Sequence, residues 1–125
     1  KITTLFSKVG AALWVEAEAQ LEGVTAISGS GPAYAFHLVE VMAIAGQSLG
    51  LSQEMAHQLA RQTLIGAGVM LATLPESAAE LRQRVTSPGG TTAAALQVFD
   101  QAGALESLVL KAVTAAHTRA RELSL

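Results

Sequence analysis

The sequence predicts a mainly helical fold of five or six helices, and three observations predict it. Residues 32–49, 53–73 and 104–123 are long runs of alanine, leucine and other good helix formers. The links between them are short and built from serine, glycine and proline, the residues that start and stop helices. Only Ala12-Leu13-Trp14-Val15 reads as a strand, and a lone strand of that length cannot stand by itself.

Lys1 to Lys8 reads as a short amphipathic helix, with Ile2, Leu5, Phe6 and Val9 on one side and Gly10 as its stop. The strand at Ala12–Val15 then needs a sheet supplied from outside this sequence, or a partner across a dimer. Ala17 to Ile27 is a further short helix carrying Leu21, Val24 and Ile27. Ser28-Gly29-Ser30-Gly31-Pro32 follows as a small-residue turn, with Ser30 a candidate cap and Pro32 suited to a first helical position. The helix from Pro32 to about Leu49 is apolar on most of its circumference, which predicts central burial, and Gly50 is placed to end it. Ser52 caps a helix from Gln53 to about Thr73, in which Gly66 and Gly68 predict a tight crossing or a bend. Leu74-Pro75 ends that run. Ser77 and Glu80 have capping-box spacing and predict a helix from Ala78 to about Arg84. A helix from Thr92 to Gln101 ends at Gly103. The last helix, from Ala104 to about Leu123, has Glu106 near its start and Arg119 and Arg121 near its end, as the helix dipole favours.

Half of the 125 residues are hydrophobic, only 14% are charged, and the formal net charge is −2. The mean hydropathy is +0.40, unusually apolar for a small soluble monomer. Much of the excess is alanine, and a second apolar surface buried against another chain explains the rest. Residues 33–51 contain His37, Glu40 and Gln47, which argues against a membrane span. The lysines and arginines are scattered, so no basic patch for nucleic acid is expected. There is no cysteine, and His37, His57 and His117 stand too far apart in sequence to suggest a metal site.

Ser87-Pro88-Gly89-Gly90-Thr91-Thr92 is the stretch with chemical promise. Pro88 fixes one torsion, Gly89 and Gly90 admit torsions closed to other residues, and a helix begins at once. The unpaired N–H groups of that helix start, two threonine hydroxyls and two residues without Cβ make a seat for a small anion. A tight turn with a helix cap is the plainer account of the same residues. Ser28, Ser30, Ser87, Thr91 and Thr92 lack a neighbouring base, so they fit binding better than nucleophilic attack. Glu40 and Tyr34 read as structural residues. The Gly-x-Gly-x-x-Gly turn of dinucleotide-binding folds is absent.

Val24 to Tyr34, through Ser28-Gly29-Ser30-Gly31-Pro32, and Val85 to Thr92, continuing through Ala95-Leu96 to Phe99-Asp100, together resemble pyrroline-5-carboxylate reductase, the last enzyme of proline biosynthesis. The resemblance runs from about Leu5 to Leu123. It implies an all-α, interleaved helical dimerisation domain at 17–125, preceded at 1–16 by the tail of an N-terminal dinucleotide-binding domain. It implies a cytoplasmic homodimer, with larger rings such as decamers formed by some members, and a small-molecule substrate, with neither nucleic acid nor membrane as a partner. The full-length enzyme would use NADPH or NADH, the cofactor contacts lying mainly outside this chain, and the fragment alone would bind neither and be inactive. Ser87, Pro88, Gly89, Gly90, Thr91 and Thr92 would hold the substrate carboxylate, position 91 through its backbone N–H. Thr92 would stand near the ring nitrogen as the catalytic hydroxyl. Ser28, Gly29, Ser30, Gly31 and Pro32 would shape the pocket or the dimer core. Competing readings are a purely structural dimerisation domain, the helical domain of another imine or hydroxyacid oxidoreductase, and a helical ligand-binding or adaptor domain.

Overall fold

The computed structural model describes the backbone of residues 4–8, 11–15 and 18–124, and the side chains of 20–124. Among these, two strands, β1 (Thr4–Lys8) and β2 (Ala11–Val15), precede six α-helices. The helices are α1 (Glu18–Val24), α2 (Gly31–Ser48), α3 (Gln53–Thr73), α4 (Ala78–Arg84), α5 (Thr91–Asp100) and α6 (Ala104–Leu123). By contact the chain divides into one unit of Lys1–Tyr34 with Leu105–Leu125, and a second of Ala35–Ala104.

In the first unit, β1 and β2 pair antiparallel, with Thr4 opposite Val15 and Lys8 opposite Ala11. This corrects two expectations. Thr4–Lys8 is a strand, not a helix, and Ala12–Val15 finds its partner within the chain. Threonine and phenylalanine favour strands.

α1 passes into a π-helical turn at Thr25–Gly29, closed by Ser30 N–H donating to the Thr25 carbonyl at 2.9 Å. Ser30 keeps right-handed helical torsions (φ −86°, ψ −23°). The expected break at Ser28–Pro32 is therefore a widened helical turn, and Ser30 makes no side-chain cap. Tyr34 Oη donates to the carbonyl of Ala26, a fully buried residue, at 2.7 Å.

In the second unit, the helix boundaries follow from their caps. Gly50, at φ +103°, ends α2: its N–H donates to the Gln47 carbonyl, and Leu51 N–H donates to the Gly46 carbonyl. This left-handed ending is open to glycine without penalty. Ser52 Oγ accepts from Met55 N–H at the start of α3. Leu74 is extended (φ −102°, ψ 144°), as the residue before Pro75 should be. Ser77 and Glu80 form the reciprocal capping box of α4.

The packed centre of this unit is small. Ala43, Ala56 and Ala60 form it, with Val39 against them. A Cβ on Gly46 would lie 3.3 Å from the Ala56 Cβ, so the glycine lets α2 and α3 close up. No large side chain among the described residues is fully buried. Phe36 is 68% exposed and Ile44 63%, so the all-round apolar α2 is not buried within its own chain. The expectation of central burial fails for the single chain, because α3 brings only Ala56 and Ala60 to the packed cluster against Val39 and Ala43 of α2. Gly66 and Gly68 meet nothing that a Cβ would touch, so no crossing among the described residues uses them.

No helix among the described residues is long and apolar enough to cross a membrane.

Candidate functional site

The Ser87–Thr92 loop lies wholly within the second unit, between α4 and α5. Gly90 N–H donates to the Ser87 carbonyl at 3.0 Å, and Gly89 takes φ +71°. Proline second and a positive-φ glycine third is the pattern of a type II turn. Gly90 then serves as the N-cap of α5 in extended conformation (φ −88°, ψ −174°), with no side chain to cap anything. The first backbone bond of the helix is Ala94 N–H to the Gly90 carbonyl, at 3.1 Å.

The amides of Thr91, Thr92 and Ala93 therefore have no acceptor in the described structure. A helix start in this condition carries partial positive charge and directed donors. Gly89 is exposed and Gly90 half-buried, so the turn is not sealed inside the unit. Thr91 is exposed and Thr92 half-buried. A Cβ at Gly90 would come within 3.2 Å of the Ser87 carbonyl oxygen, so the turn closes this tightly only with glycine there.

The second predicted group, Ser28 to Pro32, lies in the first unit. It occupies the π-helical turn and the first residues of α2, half-buried throughout.

The remaining candidates have local partners. His37 Nδ1 stands 3.1 Å from Glu40 Oε1 on an exposed face of α2, which makes Glu40 a surface hydrogen-bond partner. His57 Nδ1 lies 2.9 Å from the Gln53 carbonyl. His117 is half-buried, its Nε2 3.9 Å from Glu22 Oε2. Among the described residues, no group of three or more histidines or acids is placed to hold a metal ion. Glu76 forms an ion pair with Arg84 along α4, a contact that sequence spacing does not announce.

A further feature is an apolar groove of about 500 Å³ on the second unit, lined by Gly66, Ala67, Met70 and Leu71 of α3 and by Leu81 and Val85. It adds to the uncovered face of α2.

A helical chain with an alanine-sized core, apolar faces left open and a glycine-capped helix start is a module made to be completed by another surface. It belongs to the pyrroline-5-carboxylate reductase dimerisation family, whose model matches residues 18–123. Membership in a dimerisation family indicates that the module oligomerises. The chain is 52% identical to pyrroline-5-carboxylate reductase of Pseudomonas aeruginosa over 120 residues, covering 96% of this chain and 44% of that protein. It is 41% identical to the Arabidopsis thaliana enzyme, covering 98% of this chain and 44% of that protein. A solved pyrroline-5-carboxylate reductase from Coxiella burnetii superposes with a TM-score of 0.86 at 48% identity, over 92% of this chain and 42% of that one. The Plasmodium falciparum pyrroline carboxylate reductase, solved with NADP bound, gives a TM-score of 0.80 at 32% identity, over 87% of this chain and 41% of that one. The chain thus spans less than half the length of the relatives it matches.

Proposed function

We propose that this chain is the dimerisation and substrate-binding part of an NAD(P)H-dependent pyrroline-5-carboxylate reductase, which reduces the cyclic imine 1-pyrroline-5-carboxylate to L-proline. The observation that carries the proposal is the glycine-capped start of α5, with three backbone amides free beside Thr92. Residues 1–16 would be the tail of an N-terminal dinucleotide-binding domain, and 17–125 the helical domain. The working assembly would be a cytoplasmic homodimer, with a higher ring such as a decamer built from it. The uncovered side chains of α2 support the dimer.

The substrate is an anion through its carboxylate. The amides of Thr91, Thr92 and Ala93 offer that carboxylate charge-assisted hydrogen bonds, each contributing about 1.5–3 kcal/mol. Pro88 and the two glycines hold those amides in place before substrate arrives, so little ordering is needed on binding. With the carboxylate fixed, the Thr92 hydroxyl stands on the same helix turn, where it can hydrogen-bond the ring nitrogen and orient the proton that this nitrogen gains.

The sequence has no Gly-x-Gly-x-x-Gly turn, so its residues do not fit a dinucleotide site of their own. In the full-length enzyme the reduced nicotinamide supplies the hydride that the imine carbon accepts. This chain's part is to bind, orient and hydrogen-bond.

The test is Gly90→Ala in the full-length protein. The added Cβ meets the Ser87 carbonyl and displaces the turn. The substrate KM should rise about ten-fold, a loss of about 1.4 kcal/mol, with the KM for the dinucleotide unchanged. An unaltered substrate KM would leave only a structural dimerisation role.

A further inference from the structure

The carboxylate loop is only as well placed as the helix that delivers it. α4 is seven residues long and buries one side chain, Leu81. A helix that short does not hold itself together in water. Beyond the buried Leu81, contacts at its ends give it order, and the structure supplies them. The Ser77–Glu80 box closes its start. At its end, Thr86 Oγ1 donates to the Arg82 carbonyl at 2.6 Å, and Thr86 N–H donates to the Gln83 carbonyl at 3.1 Å. One contact spans the whole element: Glu76, just before the cap, pairs with Arg84, the last helical residue. The Glu76 side chain is only 21% exposed and that of Arg84 53%. From Arg84, two residues lead to Ser87, whose carbonyl closes the type II turn.

We infer that the Glu76–Arg84 pair is a positioning strap for the Ser87–Thr92 loop, fixing where the α5 amides stand when a carboxylate binds. The inference rests on the loop being the carboxylate site. Neither side chain is assigned a contact with substrate, and both act through α4.

The charges make the strap separable from a field effect. Replacing Glu76 by Gln removes the negative charge that neutralises Arg84. A purely electrostatic role predicts tighter binding of an anionic substrate, since Arg84 is then unneutralised. A positioning role predicts weaker binding, because α4 loses its longest tether. The two accounts differ in sign.

The experiment compares wild type, E76Q, R84Q and Gly90→Ala in the full-length enzyme. E76Q should raise the substrate KM about three- to five-fold, the scale of a partly exposed ion pair, with kcat and the KM for the dinucleotide unchanged. R84Q should do the same. A second readout does not need turnover: the Ala94 amide, which donates to Gly90, should exchange its hydrogen faster in E76Q. A substrate KM that is unchanged or lower in E76Q, or an Ala94 exchange rate that does not move, overturns the strap. If Gly90→Ala raises KM while E76Q does not, the strap alone falls. If Gly90→Ala has no effect, the loop assignment falls with it.

Discussion

The Tyr34 hydroxyl reaches back from the first turn of α2 to the Ala26 carbonyl, at 2.7 Å, and so ties α2 to the π-helical turn that precedes it. A π-helical turn widens the backbone ring and persists where something outside the turn holds it. Ala26 is fully buried, so its carbonyl has no route to water if the phenol is removed. Tyr34→Phe should therefore cost about 1–2 kcal/mol, the penalty of leaving a buried acceptor unmade. Denaturant titration of the two proteins would measure it. A difference below about 0.3 kcal/mol would mean that the carbonyl finds another donor.

Gly46 and Ala56 give a second packing test. A methyl group on Gly46 would sit 3.3 Å from both the Ala56 Cβ and the Leu51 Cδ1. Leu51 can rotate away, whereas the Ala56 Cβ is held by its own backbone. Alanine gains about 0.5–1 kcal/mol from helix propensity, while overpacking costs about 1–3 kcal/mol. Gly46→Ala should be destabilising by about 1 kcal/mol net, read from the midpoint of urea unfolding.

Local chemistry was legible in the sequence, and contacts between separated residues were not. α3 runs from Gln53 to Thr73, as Ser52 and Pro75 predict. The capping box at Ser77 and Glu80 was readable for the same reason. The Pro88-Gly89-Gly90 turn needs only its own torsions to form. β1 is not legible in the sequence because Ile2, Leu5, Phe6 and Val9 fall at helical spacing, while the strand depends on pairing with Ala11–Val15. The Ser28–Pro32 stretch looked like a break. It is helical because its short side chains tolerate the wide turn and Tyr34, farther along, holds it. The apolar wrapping of α2 was visible, but what covers it was not, since within one chain only Ala43 of that helix is buried. The loop of the candidate site was therefore foreseeable, and the Glu76–Arg84 contact behind it was not.

Acid should loosen α4 first at its cap. The Ser77 backbone N–H donates to Glu80 Oε1 at 3.0 Å, and Glu80 N–H donates to Ser77 Oγ at 3.1 Å. The backbone bond from Ser77, then the side-chain bond to the same residue, hold the Glu80 carboxyl below its ordinary value. A depressed folded-state pKa means that the contribution is present above the unfolded glutamate range, about 4.3, and fades as pH falls through the folded value. Side-chain carboxyl NMR should show Glu80 titrating below the ordinary glutamate range. Ser77→Ala removes the side-chain bond and keeps the backbone one, so it should move Glu80 part of the way back up and cost about 1 kcal/mol as a lost cap. A Glu80 carboxyl that titrates at the ordinary glutamate value in the wild type would rule out the box.

Gly66, which lines the groove between α3 and α4, and Gly68 on the same helix test whether a second copy of the chain packs against α3. Inside one chain a Cβ at either position meets open space. Taken alone, Gly66→Ala and Gly68→Ala should each stabilise α3 by about 0.5–1 kcal/mol, because glycine is a poor helix former. If a partner's backbone approaches these glycines, the added methyl groups obstruct it and the sign reverses. The homodimer reading predicts the reversal. The dimer dissociation constant of the double variant should rise at least about ten-fold, or about 1.4 kcal/mol, while its monomer is at least as helical as wild type. Sedimentation equilibrium across a dilution series, with circular dichroism on the same samples, separates the two effects. Greater helicity with an unchanged dissociation constant would show that α3 meets its partner by another face.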